Sequence, residues 1–182
     1  MPQNTVIGIY VPAFVGMEPD GSRNSYNYVT RVSGETVNQI PFGVCVKEGA
    51  LPGVSCLNLA GQAGTLIGIV PFADAYQVGK ELGTIVDANG NLGLLPQVDV
   101  SIKERGRLYV QIDEDVAAGQ AVKVRTAPVG LGVGPGSFRK TAVATNTLDL
   151  SKFCKWIGTN LAANGWGLLQ FDFTMSSLAT AD

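Results

Sequence analysis

Apolar and polar residues alternate most cleanly in the stretch VDVSIKERGRLYVQI. Val98, Val100 and Ile102 take turns with Asp99, Ser101 and Lys103, and Leu108, Val110 and Ile112 with Tyr109, Gln111 and Asp113. Successive side chains of a strand point to opposite faces, so each run predicts a strand with one buried and one wet face. Glu104-Arg105-Gly106 is the predicted turn between them. The period continues in DEDVAAGQAVKVRT, where Val122 and Val124 are expected inside and Lys123 and Arg125 outside. Two further runs, IPFGVCVKEG and LIGIVPF, are compact, apolar and bounded by Gly and Pro. Near the end of the chain, Leu169, Phe171 and Phe173 share one strand face, after a short helix or turn expected over 151–157. Trp156 and Trp166 are assigned to the core or to a subunit interface.

Twenty-three glycines and nine prolines separate these short runs. That rhythm is the mark of an all-β sandwich or barrel with little helix. The stretch PAFVGMEPDGSRNSYNY mixes turn residues and aromatics without a period. It reads as an extended N-terminal arm within residues 1–30 that reaches a neighbouring chain, with Phe14, Met17, Tyr26 and Tyr28 as its contact candidates. The competing reading tucks Phe14, Tyr26 and Tyr28 onto their own core. A β-rich domain over 31–174 and a short tail over 175–182 complete the expected organisation.

Two motifs invite a ligand and lose it on spacing. In GLGVGPGSFRKT, Arg139 stands where a phosphate loop needs Gly before its Lys, and Pro135 and Ser137 stand where a dinucleotide fingerprint needs its third Gly. A surface loop ending in Phe138, Arg139 and Lys140 remains, its glycines permitting close approach to a partner. In TIVDANGNLGLL, the oxygens of Asp87, Asn89 and Asn91 resemble a calcium loop. Leu92 and Val98 then occupy the positions of the turn-making Gly and the bidentate Glu. Asn89-Gly90 instead predicts a type I′ hairpin.

Composition narrows the chemistry further. The chain lacks His, which excludes His-based general-base catalysis and nearly all catalytic zinc sites. Asp113, Glu114 and Asp115 are read as a solvated strand end, and no catalytic residue, cofactor or metal ligand is assigned. Cys45, Cys56 and Cys154 are far apart in sequence and are expected to be buried and reduced. The net charge of −2 argues against nucleic acid as a partner. No apolar run reaches the ~18 residues of a membrane span, and the N-terminal sequence lacks the basic start of an export peptide. The chain is 46% hydrophobic and 15% charged, where soluble domains carry about 25% charge. Such apolar excess predicts covering partners, and symmetric closure into a homodimer or homotrimer is the usual solution.

In order along the chain, IPFGVCVKEG, VQIDEDVAAGQAVKVR and KWIGTNLAANGWGLLQFDF resemble the structural cement proteins of tailed bacteriophages, over residues 31–173. That resemblance implies a β-sandwich or jelly-roll-like fold and a non-enzymatic decoration protein on the outer surface of the virion capsid, made in the host cytoplasm. The implied partners are the major capsid protein and further copies of the chain. Two alternatives stay open: another virion β-protein of tail or baseplate, and a small hydrolase using carboxylates alone, which needs two acids about 5–10 Å apart in a cleft.

Overall fold

The computed structural model describes residues 15–19, 27–36, 39–61, 64–72, 84–86, 92–127, 134–162 and 165–174 of the 182-residue chain. In chain order, its first half holds β1 (Tyr28–Ser33), β2 (Ile40–Pro41), β3 (Cys45–Glu48), β4 (Ser55–Asn58) and β5 (Leu66–Ile69). Then come β6 (Thr84–Val86), β7 (Leu92–Leu94) and β8 (Asp99–Lys103). Five of these close into a barrel in the order β1-β4-β3-β5-β8. Its neighbours are antiparallel except β1 and β4, which run parallel. Closure removes the open sheet edges that would otherwise pair with other chains.

The second half holds β9 (Arg105–Gln111), β10 (Val116–Ala117), β11 (Lys123–Arg125), β12 (Phe138–Arg139) and β13 (Thr147–Asp149). β14 (Cys154–Trp156), β15 (Thr159–Asn160) and β16 (Trp166–Asp172) follow. They make three small sheets: β14-β16-β9, β12-β11-β13 and β10-β15. The all-β expectation holds, and helix among the described residues is limited to 3₁₀ geometry at Ala144–Asn146 and at the single residues Asn27 and Ala162. The architecture within that class is a closed barrel joined to a body of small sheets, in place of two facing sheets.

Barrel and body meet through shared strands. Val46, Cys56, Ile67, Val100 and Ile102 gather in one core that fills the barrel. Their chain neighbours Cys45 and Leu66, with Ile69, point the other way and join Leu108, Val110, Trp156, Leu169 and Phe171 in the second core. β3 and β5 therefore carry apolar residues on both faces, which is why their runs lack alternation. Each fully buried Leu or Ile contributes about 1.5–3 kcal/mol relative to exposure.

Local expectations are refined at several points. Glu104-Arg105-Gly106 does not turn a hairpin: β8 pairs with β1 and β5, whereas β9 pairs with β16. The chain passes from barrel to body at Glu104, whose N–H donates to Asn27 O at 2.8 Å and whose carbonyl accepts Phe173 N–H at 2.8 Å. Over 151–157 the turn, one of the two forms expected there, is present at 151–153, and β14 follows it. The segment before β1 also belongs partly to the domain. Gly16 N–H donates to Tyr109 O at 2.6 Å, and Tyr109 N–H to Met17 O at 2.9 Å, so residues 16–17 cover the free edge of β9. β1 itself begins at Tyr28, inside the stretch expected to be an arm. Residues 1–14, 20–26 and the tail 175–182 lie outside the described residues. The hairpin expected at Asn89-Gly90 has its flanks paired, Thr84↔Leu94 to Val86↔Leu92, while its tip also falls outside them.

Candidate interaction site

The loop that ends in Phe138, Arg139 and Lys140 turns inward. Val124 and Phe138 are paired across β11 and β12, and the Phe138 ring is fully buried in the body core. It fills a pocket of its own chain, so it cannot serve as an anchor in a partner. Gly136, two residues earlier, has φ +90°, and a Cβ there would stand 2.6 Å from Cys45 O. Its carbonyl accepts Cys45 N–H at 3.0 Å, and its N–H donates to Arg125 O at 2.8 Å. The glycine thus permits close approach of loop and barrel wall, not of a ligand.

Arg139 and Lys140 are likewise engaged within the chain. Arg139 approaches Asp113 Oδ2 at 3.5 Å and Glu114 Oε1 at 3.3 Å, with its side chain 11% exposed. Lys140 Nζ donates to Asp115 O at 2.6 Å. Glu114 Oε1 accepts the backbone N–H groups of Lys140 and Thr141, both at 2.6 Å, and Glu114 Oε2 accepts the Thr141 hydroxyl at 2.9 Å. Partial burial pushes the Glu114 carboxyl up. The bonds from Thr141, Lys140 and Arg139 outweigh it and hold the group below its ordinary value. Asp113 meets Arg125 as well, through both Nε (2.6 Å) and Nη2. The acidic run is therefore a clamp on three basic residues rather than a solvated strand end, and Arg125, expected outside, is buried.

The N-terminal candidates split. Phe14 and Tyr26 lie outside the described residues. Met17 is half-buried beside β9, and the Tyr28 ring lies under Lys103, with Nζ 5.3 Å from its centroid. Lys103, expected on a wet face, is buried and pairs with Glu18 at 2.7 Å. A neutralising carboxylate and an aromatic face make that burial tolerable.

A different surface emerges from strand register. On the outer face of β14-β16-β9, Arg107 stands opposite Gln170, and Gln170 opposite Lys155. Arg105 and Lys152 join them around an open groove of about 550 Å³. All four basic residues are exposed. Further along the same face, Tyr109 and Trp166 meet edge to face at 4.9 Å, half-buried beside Leu168. Sequence reading missed this cluster because 105–107 and 152–155 are remote in the chain. The available signal was alternation: Arg105 and Arg107 fall opposite Leu108 and Val110 in β9.

Over residues 2–172 the chain matches the family model described as Structural cement protein (E217 gp24/Pam3 gp6). It belongs to this family of phage structural cement proteins, and its role is structural, at the virion capsid. A chain from the capsid of Myoviridae phage XM1 is similar in fold, with a TM-score of 0.57 at 16% identity, covering 87% of this chain and 89% of that one. No curated protein matches the sequence.

Proposed function

We propose that this protein decorates the outer surface of a tailed-phage shell as a dimer or trimer, binding the major capsid protein and reinforcing the head without catalysis. The family match over residues 2–172 carries the reading. Several modest contacts, repeated around a symmetric oligomer and over a shell, give avidity well beyond any single one. Self-association is supported by apolar side chains left at one end of the barrel. Leu51 is 62% exposed and Val54 54%, with Val32 held beside them by its N–H bond to Val54 O at 2.8 Å. The carboxylate-hydrolase alternative finds no support in the acidic run, because Asp113 and Glu114 are taken up by Arg125, Arg139 and the 140–141 backbone of their own chain.

The test is addition of purified protein to heads assembled without it, followed by sedimentation and electron microscopy. Bound protein at regular lattice positions, with raised temperature of DNA release, is the expected result. Absence of co-sedimentation at micromolar concentration would refute the proposal. Light scattering of the free protein checks the oligomer, and a monodisperse monomer that stays monomeric on concentration counts against it.

A further inference from the structure

We propose that the groove on β14-β16-β9 is the seat for an acidic, extended segment of the shell protein, a refinement that rests on the decorating role above. Every other lysine and arginine among the described residues meets a carboxylate or a carbonyl oxygen. Arg105, Arg107, Lys152 and Lys155 have no such partner among those residues, and all four surround this one groove. The acid nearest in register, Asp172 opposite Arg105, has its Oδ1 turned to Thr174 N–H (3.1 Å) and hydroxyl (2.6 Å). In a chain of net charge −2, charge left unneutralised at one place is a local field of opposite sign to the whole.

The geometry suits an extended peptide. Arg107 and Lys155 are separated by one intervening strand, hence by about 10 Å along the row. Gln170 between them offers an amide that both donates and accepts, matching a peptide backbone. Alternate side chains of an extended chain repeat every ~7 Å, so two carboxylates can meet cations on either side of that amide. The half-buried Tyr109–Trp166 pair continues the face and offers an apolar end to the same segment. Nucleic acid is the weaker fit, because the protein's overall negative charge opposes a long polyphosphate.

The experiment compares Arg107→Glu and Lys155→Glu with Lys47→Glu, an equal change of charge on β3 of the barrel. The neutral pair Arg107→Gln and Lys155→Gln is carried alongside, and thermal unfolding is recorded for each full-length variant. Occupancy on heads lacking the protein is read against salt, together with binding of a synthetic ten-residue peptide of alternating Glu and Val. Each groove reversal is expected to weaken shell occupancy and peptide binding about tenfold or more and to flatten the salt dependence, while Lys47→Glu leaves both near wild type. Wild-type occupancy by the groove variants, or an equal loss with Lys47→Glu, overturns the groove and leaves the decorating role intact. Failure of the unmodified protein to bind heads overturns both. Tighter binding of a twenty-nucleotide single-stranded DNA than of the peptide, lost in the same variants, replaces the acidic segment with nucleic acid.

Discussion

Lys103 Nζ lies 2.7 Å from Glu18 Oε2, and that pair fastens the segment ahead of the first strand to the barrel wall. The lysine side chain is 4% exposed and the glutamate 14%, so neither charge is well hydrated. Removing one partner of such a pair strands the other, at a cost of about 3 kcal/mol or more. Glu18→Ala is therefore expected to lower the urea midpoint clearly. Adding Lys103→Met should recover much of the loss, because an apolar stem of similar length then replaces a stranded charge. A double variant no better than Glu18→Ala would show that the pair does not carry this stability.

Stability in acid should follow two carboxylates. Asp149 is pushed up by burial but pulled down further by Lys123 and Ser151, from 3.8 to about 2. Glu114 is held below its ordinary value as described. A group with depressed folded-state pKa contributes stability above its unfolded value and loses it as pH falls through the folded one. Urea midpoints should thus be flat down to about pH 4.5 and fall towards pH 2. Glu114→Gln and Asp149→Asn should each flatten that fall. Parallel acid profiles for wild type and both variants would contradict the assignment.

The three thiols should be silent until the protein opens. Burial raises Cys45 to about 12 and Cys56 to about 11, and Cys154 is raised by burial with the Cys45 sulfur as a secondary cause. Since the thiolate is the reactive form, a disulfide reagent at pH 8 should label none of them rapidly in the native state. All three should react in guanidinium. Fast native labelling of any one would place it outside the core.

Glycines 134 and 136 offer a matched comparison two residues apart. A Cβ at Gly134 meets nothing within 4 Å, whereas one at Gly136 collides with the barrel backbone at φ +90°. Gly136→Ala should cost at least about 1–3 kcal/mol from the strained conformation alone, and more from the collision. Gly134→Ala should be close to neutral. Equal melting temperatures for the two variants would contradict the wedge.

Much of this fold is written in local pattern, and the parts that are not share one cause. Val100, Ile102, Leu108 and Val110 are buried where alternation put them, and the flanks of residues 87–91 pair as a hairpin, though Val86↔Leu92 centres it on residue 89 rather than on a two-residue Asn89-Gly90 turn. Alternation says which face of a strand is dry, but not which strand lies beside it. Hence the passage from barrel to body at Glu104 was legible only as a turn. Pattern alone assigns Lys103 and Arg125 to water, because charge ordinarily seeks it. Their partners, Glu18 and Asp113, lie far enough away in sequence that only the fold reveals the neutralisation. The same holds for the candidate surfaces. Phe138 and Arg139 are conspicuous in sequence and are taken up internally, while the groove cations become neighbours only through the register of β9, β16 and β14.

Cys45 and Val46 are consecutive residues that lie in different cores, and so are Leu66 and Ile67. Parting the barrel from the body would wet the outward faces of β3 and β5, where Cys45, Leu66 and Ile69 lie, and leave the barrel's own interior dry. Among the described residues the junction between the halves is itself a packed core, with Leu108, Val110, Leu169 and Phe171 on the body side. A neighbour that grips either half thus pulls on the other through buried apolar contact, as two houses sharing a party wall lean on one another.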